Sequence, residues 1–181
     1  LFETLVVDVT LTADQMSNGD IVVGTDGGGI FVITDSGVKA LNVDNAGLTS
    51  DVVMRVKKDT SRDIMWIVTS NSIEYMDSDY NVTAVSNFPY LNNFDIYQNP
   101  KDELWVLSSN GIYVAKASDM LSGEEFNYEY YGIYNGLPGI STSNSYSELT
   151  EDGYLFMAGT SRAVASSLRR VSRFQPSLAV I

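Results

Sequence analysis

Thr60-Ser61-Arg62-Asp63 leads into Met65-Trp66-Ile67-Val68-Thr69, a polar turn feeding a short apolar strand, and three other stretches have the same form. They are Ser17-Asn18-Gly19-Asp20 before Ile21-Val22-Val23-Gly24-Thr25, Pro100-Lys101-Asp102-Glu103 before Leu104-Trp105-Val106-Leu107-Ser108, and Glu151-Asp152-Gly153 before Phe156-Met157-Ala158-Gly159-Thr160. Aligned on Val22, Trp66, Trp105 and Met157, the stretches recur at roughly 40–50 residues, the spacing of a tandem repeat rather than of one helix or strand.

Each anchor sits among further short apolar runs. Before the turns lie Leu5 to Leu11, Val52 to Val56, Phe94 to Tyr97 and Ser145 to Leu149. After the anchors come Gly29 to Ile33, Ser72 to Met76, Gly111 to Val114 and Ala163 to Ala165, and then Val38 to Val43, Val82 to Val85, Phe126 to Tyr131 and Val171 to Phe174. These runs are β-branched or aromatic and bounded by Gly, Asn, Asp and Ser, which is the strand signature and not the 3.6-residue helical period. The expected fold is all-β: about four four-stranded antiparallel β-propeller blades, with repeats near 1–46, 47–87, 88–134 and a divergent 135–181 in a single segment. The only helix expected is one turn within Ala115 to Leu121. Large side chains on the second and third strands, Trp66 and Trp105 above all, are expected to pack against the neighbouring blade.

Composition removes several function classes. With 44% hydrophobic and 19% charged residues the chain can bury a core and should fold. Lys plus Arg is 11 against 23 Asp plus Glu, a net charge of −12, so nucleic acid and anionic membrane surfaces are poor partners. No cysteine and no histidine are present, which removes disulfides, thiolate or histidine metal sites and the commonest general base. An enzyme is not expected of this chain. No apolar run approaches the ~20 residues that cross a bilayer. The start, Leu1-Phe2-Glu3, lacks Met and the basic-then-apolar order of a signal peptide, so the chain is expected to be a piece of a longer protein.

Gly47-Leu48-Thr49-Ser50-Asp51-Val52-Val53, then Asp59, then Met65 to Thr69 resembles the two-component regulator propeller repeat family. Echoes are Ile21 to Thr25 with Gly28-Gly29-Ile30-Phe31, Leu104-Trp105-Val106 with Asn110-Gly111-Ile112-Tyr113, and Gly136-Leu137-Pro138, over roughly residues 15 to 160. The third repeat has Pro89-Tyr90-Leu91 where Gly-Leu is the pattern, and the fourth has Ser161-Arg162-Ala163 where Asn-Gly-aliphatic is. The resemblance implies a propeller of about seven blades outside the membrane, joined through a helix to a histidine kinase or diguanylate cyclase, so four blades would be an incomplete arc. It also implies a sensory, ligand-binding role in a periplasmic or extracellular domain of a membrane-anchored bacterial protein. The membrane would be reached only through segments absent here. A scaffold propeller that binds proteins and no small molecule is the alternative, and a propeller lyase or hydrolase ranks last for want of histidine.

Candidate contact residues are Tyr128, Tyr130, Tyr131 and Tyr134, whose flat faces and hydroxyls suit a small molecule or oligosaccharide, although alternation within Phe126 to Tyr130 also suits a packed outer strand. The other expected partners are the remaining blades or a second copy of the chain. No cofactor and no metal is expected. Asp77-Ser78-Asp79-Tyr80-Asn81 begins like a calcium loop, but Val82 and Phe88 stand where Gly and Glu are needed, so it reads as a hairpin turn. Asp26-Gly27-Gly28-Gly29 lacks a following Lys at phosphate-loop spacing and reads as a turn. Glu124-Glu125 and Glu151-Asp152 read as solvated turns, because adjacent carboxylates point apart. Residues 162–173 hold four arginines and no carboxylate, and suit either a divergent last blade or a tail.

Overall fold

Fifteen short strands and two single-turn helices make up the structure, a computed structural model that describes residues 6, 8–89, 91–143, 145–159 and, as backbone only, 163–167. The described strands form three four-stranded antiparallel sheets and one three-stranded sheet, each a meander in chain order. Residues Leu1–Asn93 and Phe94–Ile181 make two compact units of two sheets each.

In the first unit, sheet one is β1 (Thr10–Gln15), β2 (Ile21–Thr25), β3 (Ile30–Thr34) and β4 (Gly37–Leu41), and sheet two is β5 (Val53–Lys58), β6 (Met65–Thr69), β7 (Ile73–Met76) and β8 (Val82–Ala84). They pack face to face through Val22, Ile30, Val32 and Leu41 on one side and Val56, Met65, Ile67 and Met76 on the other, with Leu48 of the connection added. Each fully buried aliphatic side chain there is worth about 1.5–3 kcal/mol. The first described strand, Thr10–Gln15, overlaps the expected Leu5 to Leu11 at Thr10 and Leu11 and runs on to Gln15; Leu5 and Val7 lie outside the described residues. A turn in which the Met16 N–H donates to the Asp20 carbonyl pairs Gln15 with Ile21 and draws polar residues into the strand. Those polar side chains join the sheets: Thr12 Oγ1 accepts from the Val56 N–H at 3.2 Å and Asp14 Oδ2 from the Lys58 N–H at 2.7 Å.

Between the sheets the chain makes α1 (Val43–Ala46) where strand was expected to reach Val43. Asn42 caps it by accepting from the Asp44 and Asn45 N–H groups, Asn45 returns a bond to the Asn42 N–H, and Gly47 at φ 73° ends it.

In the second unit, sheet three is β9 (Asn93–Gln98), β10 (Glu103–Ser108), β11 (Gly111–Lys116) and β12 (Glu129–Tyr131), with the expected helical turn at α2 (Ala117–Met120). Sheet four is β13 (Ser147–Leu149), β14 (Tyr154–Ala158) and β15 (Ala163–Ser167). The expected run Val171 to Phe174 lies outside the described residues. Trp105, Leu107, Ile112 and Val114 pack against Leu155 and Met157.

Four similarly closed turns, the one at Asp59 a residue longer than the others, put the anchors in register. An N–H to carbonyl bond closes each, Met16 to Asp20, Asp59 to Ile64, Asn99 to Glu103 and Thr150 to Tyr154, at 2.9–3.0 Å. The second residue after each carbonyl is Val22, Trp66, Trp105 and Phe156. The alignment on Met157 is therefore one residue off, and a one-residue slip moves a side chain to the other face of its sheet. Met157 faces Trp105 in the core, while Phe156, the true counterpart of the tryptophans, is 40% exposed.

Candidate ligand-contact surface

Among the described residues, β2, β6 and β10 end in turns closed by a hydroxyl. Thr25, Thr69 and Ser108, the last residues of β2, β6 and β10, each donate a side-chain bond to a carbonyl three or four residues on, at Gly29, Ser72 and Gly111. The same oxygens accept from the Gly28, Ser72 and Asn110 N–H groups. In Asp26-Gly27-Gly28-Gly29 the remaining N–H groups are spent as well, Asp26 on the Val9 carbonyl and Gly27 and Gly29 on the Asp51 carbonyl. Asp77 likewise spends one carboxylate oxygen on the N–H groups of Asp79 and Asn81, the hairpin turn that the sequence suggests. Against burial, the largest single influence, the Asn81 side-chain amide and then these two N–H groups hold its carboxyl below the usual range. Among the described residues no group of three His, Cys, Asp or Glu side chains is placed to hold a metal ion.

The four tyrosines are not one cluster. Cross-strand pairing sets Tyr130 opposite Tyr113, and Tyr128 and Tyr130 lie against the buried Tyr113 ring at 5.3 and 5.0 Å between centroids. Burial, and then these two neighbours, raise the Tyr113 phenol above its ordinary value. Tyr130 is pinned by a 2.7 Å bond from its hydroxyl to the Asn110 carbonyl, with its ring against Gly111 and Gly132. Tyr131 points to the other face, stacks on Trp105 at 6.2 Å and 11°, and donates its hydroxyl to Glu129. Burial and this carboxylate raise its phenol far above the ordinary range. Tyr134 stands on a 3-10 turn (Ile133–Asn135) after the strand and is 104% exposed. Tyr128, Tyr130 and Tyr134 thus have faces open to solvent, and Tyr131 is a packing residue.

Two features were not read from the sequence. A groove of about 550 Å³ in the first unit is lined by Asp20, Thr34, Asp35, Ser36, Lys39 and Tyr80, with the Lys39 ammonium 4.9 Å from the Tyr80 ring centre. The second is Glu74, fully buried on β7. Its signal lay in the repeats: Phe31, Glu74 and Tyr113 pair with the residue after the anchor in their sheets, Val23, Ile67 and Val106, so a carboxyl occupies an aromatic position.

Comparison with solved structures fixes the architecture. The extracellular domain of the putative hybrid two component system BT3049 from B. thetaiotaomicron matches with TM-score 0.70 and 15% identity, over 90% of this chain and 24% of that one. These sheets are β-propeller blades. The extracellular domain of the putative one component system BT4673 from the same organism matches with TM-score 0.68 and 14% identity, over 88% of this chain and 29% of that one. A catalytically inactive histidine-to-alanine virginiamycin B lyase from Staphylococcus aureus, with Quinupristin, matches with TM-score 0.66 and 14% identity, over 93% of this chain and 56% of that one. The chain therefore spans between about a quarter and just over half the length of these structures. No protein-family model and no curated protein matches the chain.

Proposed function

We propose that the chain is a sensory, ligand-binding segment of the extracytoplasmic propeller of a bacterial transmembrane signalling protein, of the histidine kinase or diguanylate cyclase type. The observation that carries this reading is the match of nearly the whole chain to two extracellular domains of signalling systems. No described helix is long and apolar enough to cross a membrane, so anchor and output belong to other segments. The remaining blades of the parent propeller supply the partner for the outward face of sheet four, where Tyr146, Tyr154 and Phe156 are exposed.

The ligand reading rests on Tyr128, Tyr130 and Tyr134, whose ring faces suit the apolar face of a sugar or a small aromatic acid. A thermal-shift screen of oligosaccharides, peptides and small acids on the complete propeller tests it. The expected result is a stabilising ligand whose effect is lost in Tyr128→Ala or Tyr134→Ala, two exposed positions. A ligand whose effect both variants keep excludes the tyrosine site, and silence across the screen favours the scaffold reading.

The lyase likeness supports a catalytic reading less well. A lyase of this shape is inactive when one histidine becomes alanine, and this chain has no histidine.

A further inference from the structure

Glu74 has no exposed surface and, unlike the equally buried Asp59 carboxylate, no cation beside it among the described residues, and its surroundings leave a proton unaccounted for. Its Oε1 accepts from the Thr49 N–H at 2.9 Å and touches the Thr49 hydroxyl, while Oε2 is buried without a partner. The Thr49 hydroxyl also lies 3.0 Å from Thr69 Oγ1 and 2.8 Å from Asn71 Oδ1. Asn71 is oriented by its amide, which donates to the Thr49 carbonyl at 3.2 Å, so the atom facing the hydroxyl is its oxygen. Three oxygen-to-oxygen contacts thus converge on Thr49 Oγ1, where only the Thr49 hydroxyl brings a proton of its own, since Thr69 donates to the Ser72 carbonyl. A protonated Glu74 donates to Thr49 Oγ1 and leaves the Thr49 proton for Asn71 Oδ1; an ionised one takes the Thr49 proton itself and leaves lone pairs facing each other at Asn71 and a charge in the core.

We infer that Glu74, Thr49, Thr69 and Asn71 form a proton-operated latch that holds the connection between the first two sheets onto the second while the Glu74 carboxyl is neutral. Thr49 belongs to that connection and is itself exposed, so the latch joins a surface loop to a buried acid. Cross-strand register gives Glu74 the uncharged neighbours Ile67 and Ala84. The ionisable groups on the same face are Lys58 of sheet two and Asp14 and Lys39 of sheet one, by their pairing with Met65, Val22 and Val32. They lie toward the other end of the strands, where Asp14 takes the Lys58 N–H and Lys39 lies over Tyr80. Burial, the largest influence, raises the Glu74 carboxyl above its ordinary 4.5 against the threonine bonds that lower it. The latch is therefore fully closed below pH 4.5 and is lost as pH rises through the higher value of the folded state.

NMR titration of the Glu74 carboxyl in the 181-residue chain, with amide exchange at Thr49, tests this. The expected midpoint lies above 4.5, with the Thr49 protection factor falling about tenfold per pH unit as the carboxyl ionises in the folded state's window. In Glu74→Gln the same protection factor should not change with pH. A midpoint at or below 4.5, Thr49 protection independent of pH in the unaltered chain, or the same fall in Glu74→Gln overturns the latch. So does a midpoint that drops when sodium or calcium is added, since a cation would then occupy the buried oxygen. If Glu74→Gln does not fold, the titration of the unaltered chain decides alone.

Discussion

Trp66 and Trp105 stand at the same position of consecutive sheets, yet the Trp66 N–H donates to Asp59 Oδ2 at 2.8 Å and the buried Trp105 N–H has no partner among the described residues. The turn explains the difference. Asp59 Oδ2 accepts from both the indole and the Arg62 guanidinium, while Oδ1 takes the Ser61 and Arg62 N–H groups. Its counterpart Asn99 uses Oδ1 for the Lys101 and Glu103 N–H groups and its amide for the Glu103 carboxylate. A hydrogen bond to a carboxylate contributes about 1.5–3 kcal/mol. Trp66→Phe should therefore lower the unfolding free energy in urea by roughly 1–2 kcal/mol more than Trp105→Phe, which loses ring area alone. Equal losses would show that the Asp59 bond contributes nothing net. That Asp59 belongs to this pattern was legible in the sequence; that it bonds the indole was not, because a seven-residue separation across a turn does not specify side-chain direction.

At the level of strands and turns, what could be read from the sequence depended on how each strand is buried. β6 and β10 are buried on both faces and read as continuous apolar runs, so the repeats were visible from them. β1 carries one buried residue and bonds its neighbour sheet through Thr12 and Asp14, so hydrophobicity did not show that it runs on to Gln15. α1 is a four-residue turn held by Asn42, too short for any periodicity to show. In β14 the pattern of the sequence admitted both Phe156 and Met157 as anchor, and only the closing bond of the turn before it decides between them. The tyrosines were legible as a group but not by face, since β12 begins only at Glu129 and sends Tyr130 and Tyr131 to opposite sides.

The turn glycines carry a further consequence. Gly111 has φ 144°, and a Cβ there would stand 2.2 Å from the Tyr131 carbonyl oxygen; Gly37 has φ 140° with nothing within 4 Å. Both substitutions strain the backbone, by about 1 kcal/mol or more, but Gly111→Ala must also push β12 away. Gly111→Ala should thus destabilise by at least ~2 kcal/mol and Gly37→Ala by about half that, read from equilibrium denaturation. Near-equal effects would mean that β12 yields freely.

For the molecule as a whole, the contrast between the two faces of sheet four matters most. Leu155 and Met157 are buried on one face, while Tyr146 is 70%, Tyr154 42% and Phe156 40% exposed on the other. A blade face of this composition normally has a neighbour. Produced alone, the chain should associate through it despite its net charge of −12, and Phe156→Asp should shift the mass seen by light scattering toward the monomer. A clean monomer for the unaltered chain would contradict that reading of the face.

The central claim, that these blades belong to an extracytoplasmic sensor, is tested most directly by protease accessibility of the full-length parent protein in intact cells. The expected result is a membrane-bound protein whose blades are cut from outside while an output domain stays protected until the cells are opened. Blades that are protected in intact cells, or a parent protein that leaves the membrane fraction altogether, would contradict the claim.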